Sequence, residues 1–121
     1  MKPATAAAAV VLVAGMALLL VSRNSGGAEL GNAEHGKALY DESCAKCHGK
    51  TGAGDGRAGR ELEHKPTPFN VKSKLSADDK LFKATKEGGK AVGQSGDMEA
   101  FPKLSDEQIH DVIAYLKTLA K

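Results

Sequence analysis

Along this 121-residue chain the hydrophobic pattern changes character once. From Ala4 to Val21 apolar residues run on with only Thr5 and Gly15 between them, with Lys2 ahead of them and no acidic residue before Glu29. Such a run predicts a membrane-directed leader. Two readings of it stand. One is a cleaved secretory signal with small residues at Gly26-Gly27-Ala28; the other is an uncleaved anchor, because the run is long for a signal and just sufficient for a span. Its Ala content contributes little to insertion. Residues 1–28 are therefore expected to be a signal peptide or N-terminal membrane anchor with a short linker, and residues 29–121 a single domain. In both readings Lys2 and the free amine stay in the cytoplasm and the domain is exported.

Beyond the small, Gly-rich stretch from Ser22 to Gly31, a helical period takes over. Asn32 is a suitable N-cap for a helix from Ala33 to about Ser43, with Leu39 and Tyr40 toward the core. Gly36 inside it costs about 1 kcal/mol relative to Ala, which is explained if another helix crosses closely there. A second helix, about Ala77 to Lys86, has Ser76 as its cap and Asp78 and Asp79 in its first turn, where they complement the dipole. Its inner stripe is Leu81, Phe82 and Thr85, and Gly88-Gly89 end it. The last helix is the most sharply signalled. Ser105 and Gln108 form a capping box, Leu104 and Ile109 a hydrophobic staple, and Ile109, Val112, Ile113, Leu116 and Leu119 or Ala120 recur at helical spacing. Nothing alternates as a strand, so the domain is expected to be all-α.

Between the first two helices the pattern breaks. Gly49 to Gly59 holds five glycines in eleven residues and reads as a loop giving positive φ and close approach to a flat ligand, not as a regular helix or strand. It lacks the GK[ST] ending and the preceding strand of a phosphate-binding loop. Glu61 to Asn70 contains Pro66-Thr67-Pro68-Phe69, a stiff, extended segment.

Composition narrows the function classes. From Glu29 onward the chain carries 15 Lys plus Arg against 15 Asp plus Glu, so there is no basic surplus for a nucleic acid. Locally, Lys72, Lys74, Lys80, Lys83, Lys86 and Lys90 outnumber Asp78, Asp79 and Glu87, giving either a solvated face or a surface that steers an acidic redox partner. The aromatic residues are only Tyr40, Phe69, Phe82, Phe101 and Tyr115, a scant supply for the core of so short a domain. A buried non-protein group would make up the difference.

The chemistry is concentrated in Cys44-Ala45-Lys46-Cys47-His48, which reads as a covalent haem attachment site. One helical turn brings both thiols to the vinyl groups of a single haem, and the next residue offers an imidazole to the iron. No other cysteine exists, so no thiol is left over. Arg57 and Arg60 are then either solvated charges or partners for a propionate. A carbonyl of Pro66 or Pro68 is expected to accept from the free ring nitrogen of His48, fixing its tautomer and raising its basicity. Met98, the one methionine outside the leader, lies in a polar loop and is the expected second axial ligand; a thioether favours Fe(II) and raises the potential. His35, His64 and His110 are the rival ligands, all read as exposed, with His64 the best placed. A thioredoxin-like CxxC would need a preceding strand, and a zinc site would use the adjacent pair Cys47 and His48 awkwardly on one tetrahedral ion.

These motifs together resemble the class I cytochromes c, specifically the small bacterial monohaem members. The resemblance runs from about Glu34 to Leu119. It is carried by Gly36-x-x-x-Tyr40, Cys44-Ala45-Lys46-Cys47-His48-Gly49, Gly54-Asp55-Gly56, Met98-x-x-Phe101 and Leu104-Ser105-Asp106-Glu107-Gln108-Ile109 leading to Ala114-Tyr115-Leu116. It implies three to four short helices wrapped around one covalently bound haem c, with the first and last helices crossing and Gly36 set against Tyr115. It also implies a proline carbonyl on the proximal His. The sequence departs from many relatives in having Glu99, not proline, directly after the methionine.

The expected function is a one-electron carrier, not an enzyme. Cys44 and Cys47 would hold the haem, His48 and Met98 would be its axial iron ligands, and unidentified donor and acceptor proteins would be its partners. The expected location is the periplasmic side of the bacterial inner membrane, either soluble after cleavage or anchored through residues 4–21. Two alternatives remain: a haem protein whose labile Met98 admits a small ligand, for peroxidase-like chemistry or sensing, and the haem c subunit of a membrane oxidoreductase.

Overall fold

The first helix begins where its cap predicts. In the computed structural model, which describes residues 31–121, α1 spans Ala33–Ser43. The Asn32 side chain accepts the backbone N–H groups of Glu34 at 3.0 Å and His35 at 3.1 Å. Cys44 joins α1 to a one-turn helix, α2 (Ala45–His48), and a second single turn follows as α3 (Arg57–Glu61). The longer helices α4 (Asp78–Glu87) and α5 (Asp106–Leu119) complete the domain, with 3₁₀ turns at Lys72–Lys74 and Gly89–Val92. Among the described residues there is no strand, and no helix is long and apolar enough to cross a membrane. The expected leader, residues 1–28, lies outside the described residues.

Two local expectations are corrected. The stretch read as loop through Gly59 becomes helical at Arg57, because tertiary contact overrides poor propensity: α3 lies so close on α2 that a Cβ at Gly59 would overlap the Cys47 carbonyl. α4 starts one residue later than expected, with Ala77 as N-cap and no side-chain cap bond, so Ser76 does not serve that role. The last helix follows its signal closely. Ser105 Oγ accepts from Gln108 N–H, and Gln108 Oε1 accepts from Ser105 N–H.

The core is assembled on α5. Ile109, Val112, Ile113, Tyr115 and Leu116 are buried on it, joined by Tyr40 from α1 and Leu81 from α4. The principal helix interface is α1 on α5. Gly36 permits it, since a Cβ there would overlap the Asp111 carbonyl and crowd Val112 N. The atoms nearest to Gly36 are thus the α5 backbone one turn before Tyr115, and Tyr115 packs edge-on against Tyr40 with ring centroids 5.2 Å apart.

Along the other side of α5, α4 runs antiparallel to it. Lys117 pairs with Asp78 at one end of this seam and Lys86 with Asp106 (2.6 Å) at the other. Between them His110 stacks at a tilt on Phe82, centroids 5.0 Å apart. His110 is therefore half-buried, not exposed as its position beside the apolar stripe suggested.

Asp111 is a feature the sequence did not signal. Its carboxylate is buried and accepts the Asn32 N–H at 2.6 Å and His35 Nδ1 at 2.6 Å, tying the start of α1 to α5. Asp111→Ala should cost about 1–3 kcal/mol, because it strands a partly buried backbone donor. His35→Ala should cost less than about 1 kcal/mol, because that ring is half in water. Urea midpoints of the two variants check the ordering.

Candidate functional site

The motif sits on a continuous helical path. The Cys44 N–H donates to Tyr40 O at 2.8 Å, ending α1, and the same residue's carbonyl accepts from Cys47 N–H at 3.1 Å and His48 N–H at 2.9 Å. Spacing of three along this turn puts both sulfurs on one face. Cys44 and Cys47 are free, half-buried thiols. Burial, with a smaller contribution from Cys47, pushes the Cys44 thiol up to about 11. The turn is pinned from below. Tyr40, whose own pKa is raised by burial, donates its hydroxyl to the Gly49 carbonyl at 2.7 Å, and Gly49 N–H donates to Ala45 O at 2.8 Å.

His48 presents its two ring nitrogens differently. Nδ1 is sealed from solvent and has no hydrogen-bond partner; His48 as a residue is only partly buried, and Nε2 is not among the sealed, unpartnered atoms. Burial lowers the imidazole's pKa, favouring the neutral form that binds metal, against the smaller opposing effect of the Thr67 backbone. The backbone group that bears on the imidazole is that of Thr67, between the two prolines, and Nδ1 forms no hydrogen bond to it or to the carbonyl of Pro66 or Pro68. In a PxP segment the central residue's carbonyl direction depends on the register of the whole loop. Phe69 lies flat on the same imidazole, with centroids 4.4 Å apart and planes inclined by 21°.

Met98 is half-buried in the loop between the second 3₁₀ turn and α5. Its carbonyl accepts from Gly89 N–H at 3.0 Å, and Phe101 N–H donates to Thr85 O at 2.9 Å, so both sides of the loop are tied to the end of α4. Among the described residues, no hydrogen bond or ion pair joins the His48 turn to the Met98 loop directly. The Met98 loop is instead met by His64, whose Nδ1 lies 3.4 Å from Asp97 Oδ2. The Ser95 hydroxyl first, and His64 second, hold the Asp97 carboxyl below its usual range. His64 is exposed, as expected, and His35 is engaged by Asp111.

Arg57 and Arg60 are exposed and make no ion pair among the described residues. Arg57 lines an open hollow of about 360 Å³ beside the motif with Ala45, Gly49, Lys50, Thr51 and Asp55. No group of three or more His, Cys, Asp or Glu side chains among the described residues could hold a bare metal ion, which counts against the zinc reading of the cysteines. The residues suit an iron that brings its own equatorial ligands: two thiols on one helical face that could add to the vinyl groups of a haem, and an imidazole with one nitrogen sealed that could bind the iron through the other.

Comparison with known proteins agrees. A family model described as cytochrome c matches residues 33–120. The chain is 35% identical over 101 residues to the Cbb3-type cytochrome c oxidase subunit CcoP of Azospirillum sp. (strain B510), covering 83% of this chain and 33% of that protein. Among solved structures it is similar to a chain of the Kuenenia stuttgartiensis reducing HAO-like protein complex Kustc0457/Kustc0458, with a TM-score of 0.59 and 28% identity over 74% of this chain and 43% of that one. The chain thus spans about a third of the length of the curated relative and under half of the structural one. With the family pattern running from the capped start of α1 to the end of α5, the chain belongs to the cytochrome c family, binds haem c covalently and serves haem-based electron transfer.

Proposed function

We propose that this domain is a one-electron carrier whose haem c is attached through Cys44 and Cys47, with His48 and Met98 as axial ligands. The observation that carries this reading is the His48 ring, sealed at Nδ1, on the same helical turn as two free thiols. When bound, the haem supplies exchange of one electron between Fe(III) and Fe(II). The chain's own residues do the rest. Tyr40 and Gly49 hold the turn, and burial favours the neutral form of His48. The two ties to α4 hold Met98 in a defined loop, so little rearrangement accompanies a change of oxidation state.

The same reading puts the domain on the periplasmic side of the inner membrane, with residues 4–21 as signal or anchor and redox proteins, one donor and one acceptor, as its partners. The names of the relatives, a subunit of an oxidase and a chain of a complex, support work within or beside larger redox assemblies. A second reading, in which Met98 gives way to a small ligand, is favoured by one feature: Asp97, Glu99 and Ala100 on both sides of Met98 are exposed. Carbon monoxide separates the two. The reduced protein should keep its spectrum under carbon monoxide at neutral pH while being oxidised and reduced reversibly by one electron. A new carbon monoxide adduct would favour the labile-ligand reading.

A further inference from the structure

The glycine-rich loop that follows His48 does more than turn the chain. The Gly54 N–H donates to the His48 carbonyl at 2.8 Å, and a Cβ at Gly54, where φ is +78°, would run into the Pro66 carbonyl. At Gly52, φ is +73° and the carbonyl accepts from Phe69 N–H at 2.6 Å and Asn70 N–H at 3.3 Å. The same loop therefore grips the proline segment at both ends, Pro66 at one and Phe69 at the other. Positive φ and close backbone approach are both required, and only glycine supplies them without strain. The consequence lies between the two grips: the Phe69 ring is laid on the face of the His48 imidazole, 4.4 Å away and nearly parallel. Phe69 is half-buried and packs against the main core cluster, so its own orientation is fixed by the backbone bond and by packing.

We propose that Phe69 is a positioning residue that sets the plane of the His48 imidazole, so that the ring cannot rotate about its Cβ–Cγ bond when Nε2 is bound to iron. The inference rests on the assignment of His48 as an axial ligand. The Thr67 backbone bears on the imidazole, but Nδ1 forms no hydrogen bond to it, so it restrains rotation weakly. A flat ring against a flat ring restrains rotation by contact over the whole face. Ligand-plane orientation sets the anisotropy of a low-spin ferric haem, and it can be read independently of electron-transfer activity.

The test compares Phe69→Leu, which keeps bulk and loses the flat face, with Phe69→Tyr, which keeps the face. Both are made in the full chain matured with its haem and examined oxidised by electron paramagnetic resonance and by the hyperfine-shifted haem-methyl signals. Phe69→Tyr should keep the wild-type g values and methyl order. Phe69→Leu should change both while staying low-spin. If Phe69→Leu does not assemble, Phe69→Met, of similar bulk and without a ring, replaces it with the same expectations. A ring-less variant that matches the wild type, or a tyrosine variant as altered as the leucine one, overturns the proposal. A wild type without a low-spin, His-ligated haem overturns the parent assignment and this inference with it, an outcome visible before any variant is made.

Discussion

Gly36→Ala should lower the stability of the domain by about 3 kcal/mol, although alanine is the better helix former. On propensity alone the substitution gains about 1 kcal/mol. The added methyl, however, falls on the carbonyl of Asp111 and close to Val112 N, and both are backbone atoms of α5 that cannot swing aside. The helices must part. Parting them loosens the Asn32 and His35 bonds to Asp111 and the Tyr40–Tyr115 contact, all of which lie across the same interface. Overpacking of this kind costs about 1–3 kcal/mol and sometimes more, with the linked contacts adding to it. With a urea slope of about 1–3 kcal/mol/M, the midpoint should fall by about 1 M or more without a change of slope. An unchanged or raised midpoint would mean that the two helices do not touch at Gly36.

Met98→Ala should lower the reduction potential and leave a high-spin haem that binds carbon monoxide when reduced. The thioether sulfur is a soft ligand that favours Fe(II), and alanine leaves no donor in its place. The loop itself should survive, because its ties to α4 run through the backbone of Gly89, Met98, Phe101 and Thr85 and not through the methionine side chain. Midpoint potential by redox titration and the visible spectrum check both parts. An unchanged spectrum would show that another residue supplies the ligand. His64 would then be the first to replace, because its contact with Asp97 places it beside the Met98 loop.

How far the sequence carried the account depends on the kind of interaction. Features set by local side-chain chemistry were readable: the Asn32 cap, the Ser105–Gln108 box, the end of α4 at Gly88 and the Cys44–His48 turn all need only residues a few positions apart. The need for a helix to cross at Gly36 was also readable, because an uncompensated glycine inside a helix is costly. Its exact partner was not, since register between helices far apart in sequence is fixed by packing. The same holds for Phe69 on His48 and for Asp111 under the start of α1. In each case the recognised atom is a backbone carbonyl or a side chain brought in from more than a helical turn away. A signal existed at Tyr40, where a phenol in a core position asks for a buried acceptor and finds the Gly49 carbonyl.

The sharpest test of the His48 and Met98 assignment is proton nuclear magnetic resonance of the reduced, haem-loaded protein, selectively labelled at methionine methyl groups. A methyl held over the face of a porphyrin is driven far upfield by the ring current. One methionine methyl should be displaced in this way and be absent from the spectrum of Met98→Ala. Methionine methyls that all resonate at ordinary positions in the reduced wild type would contradict it.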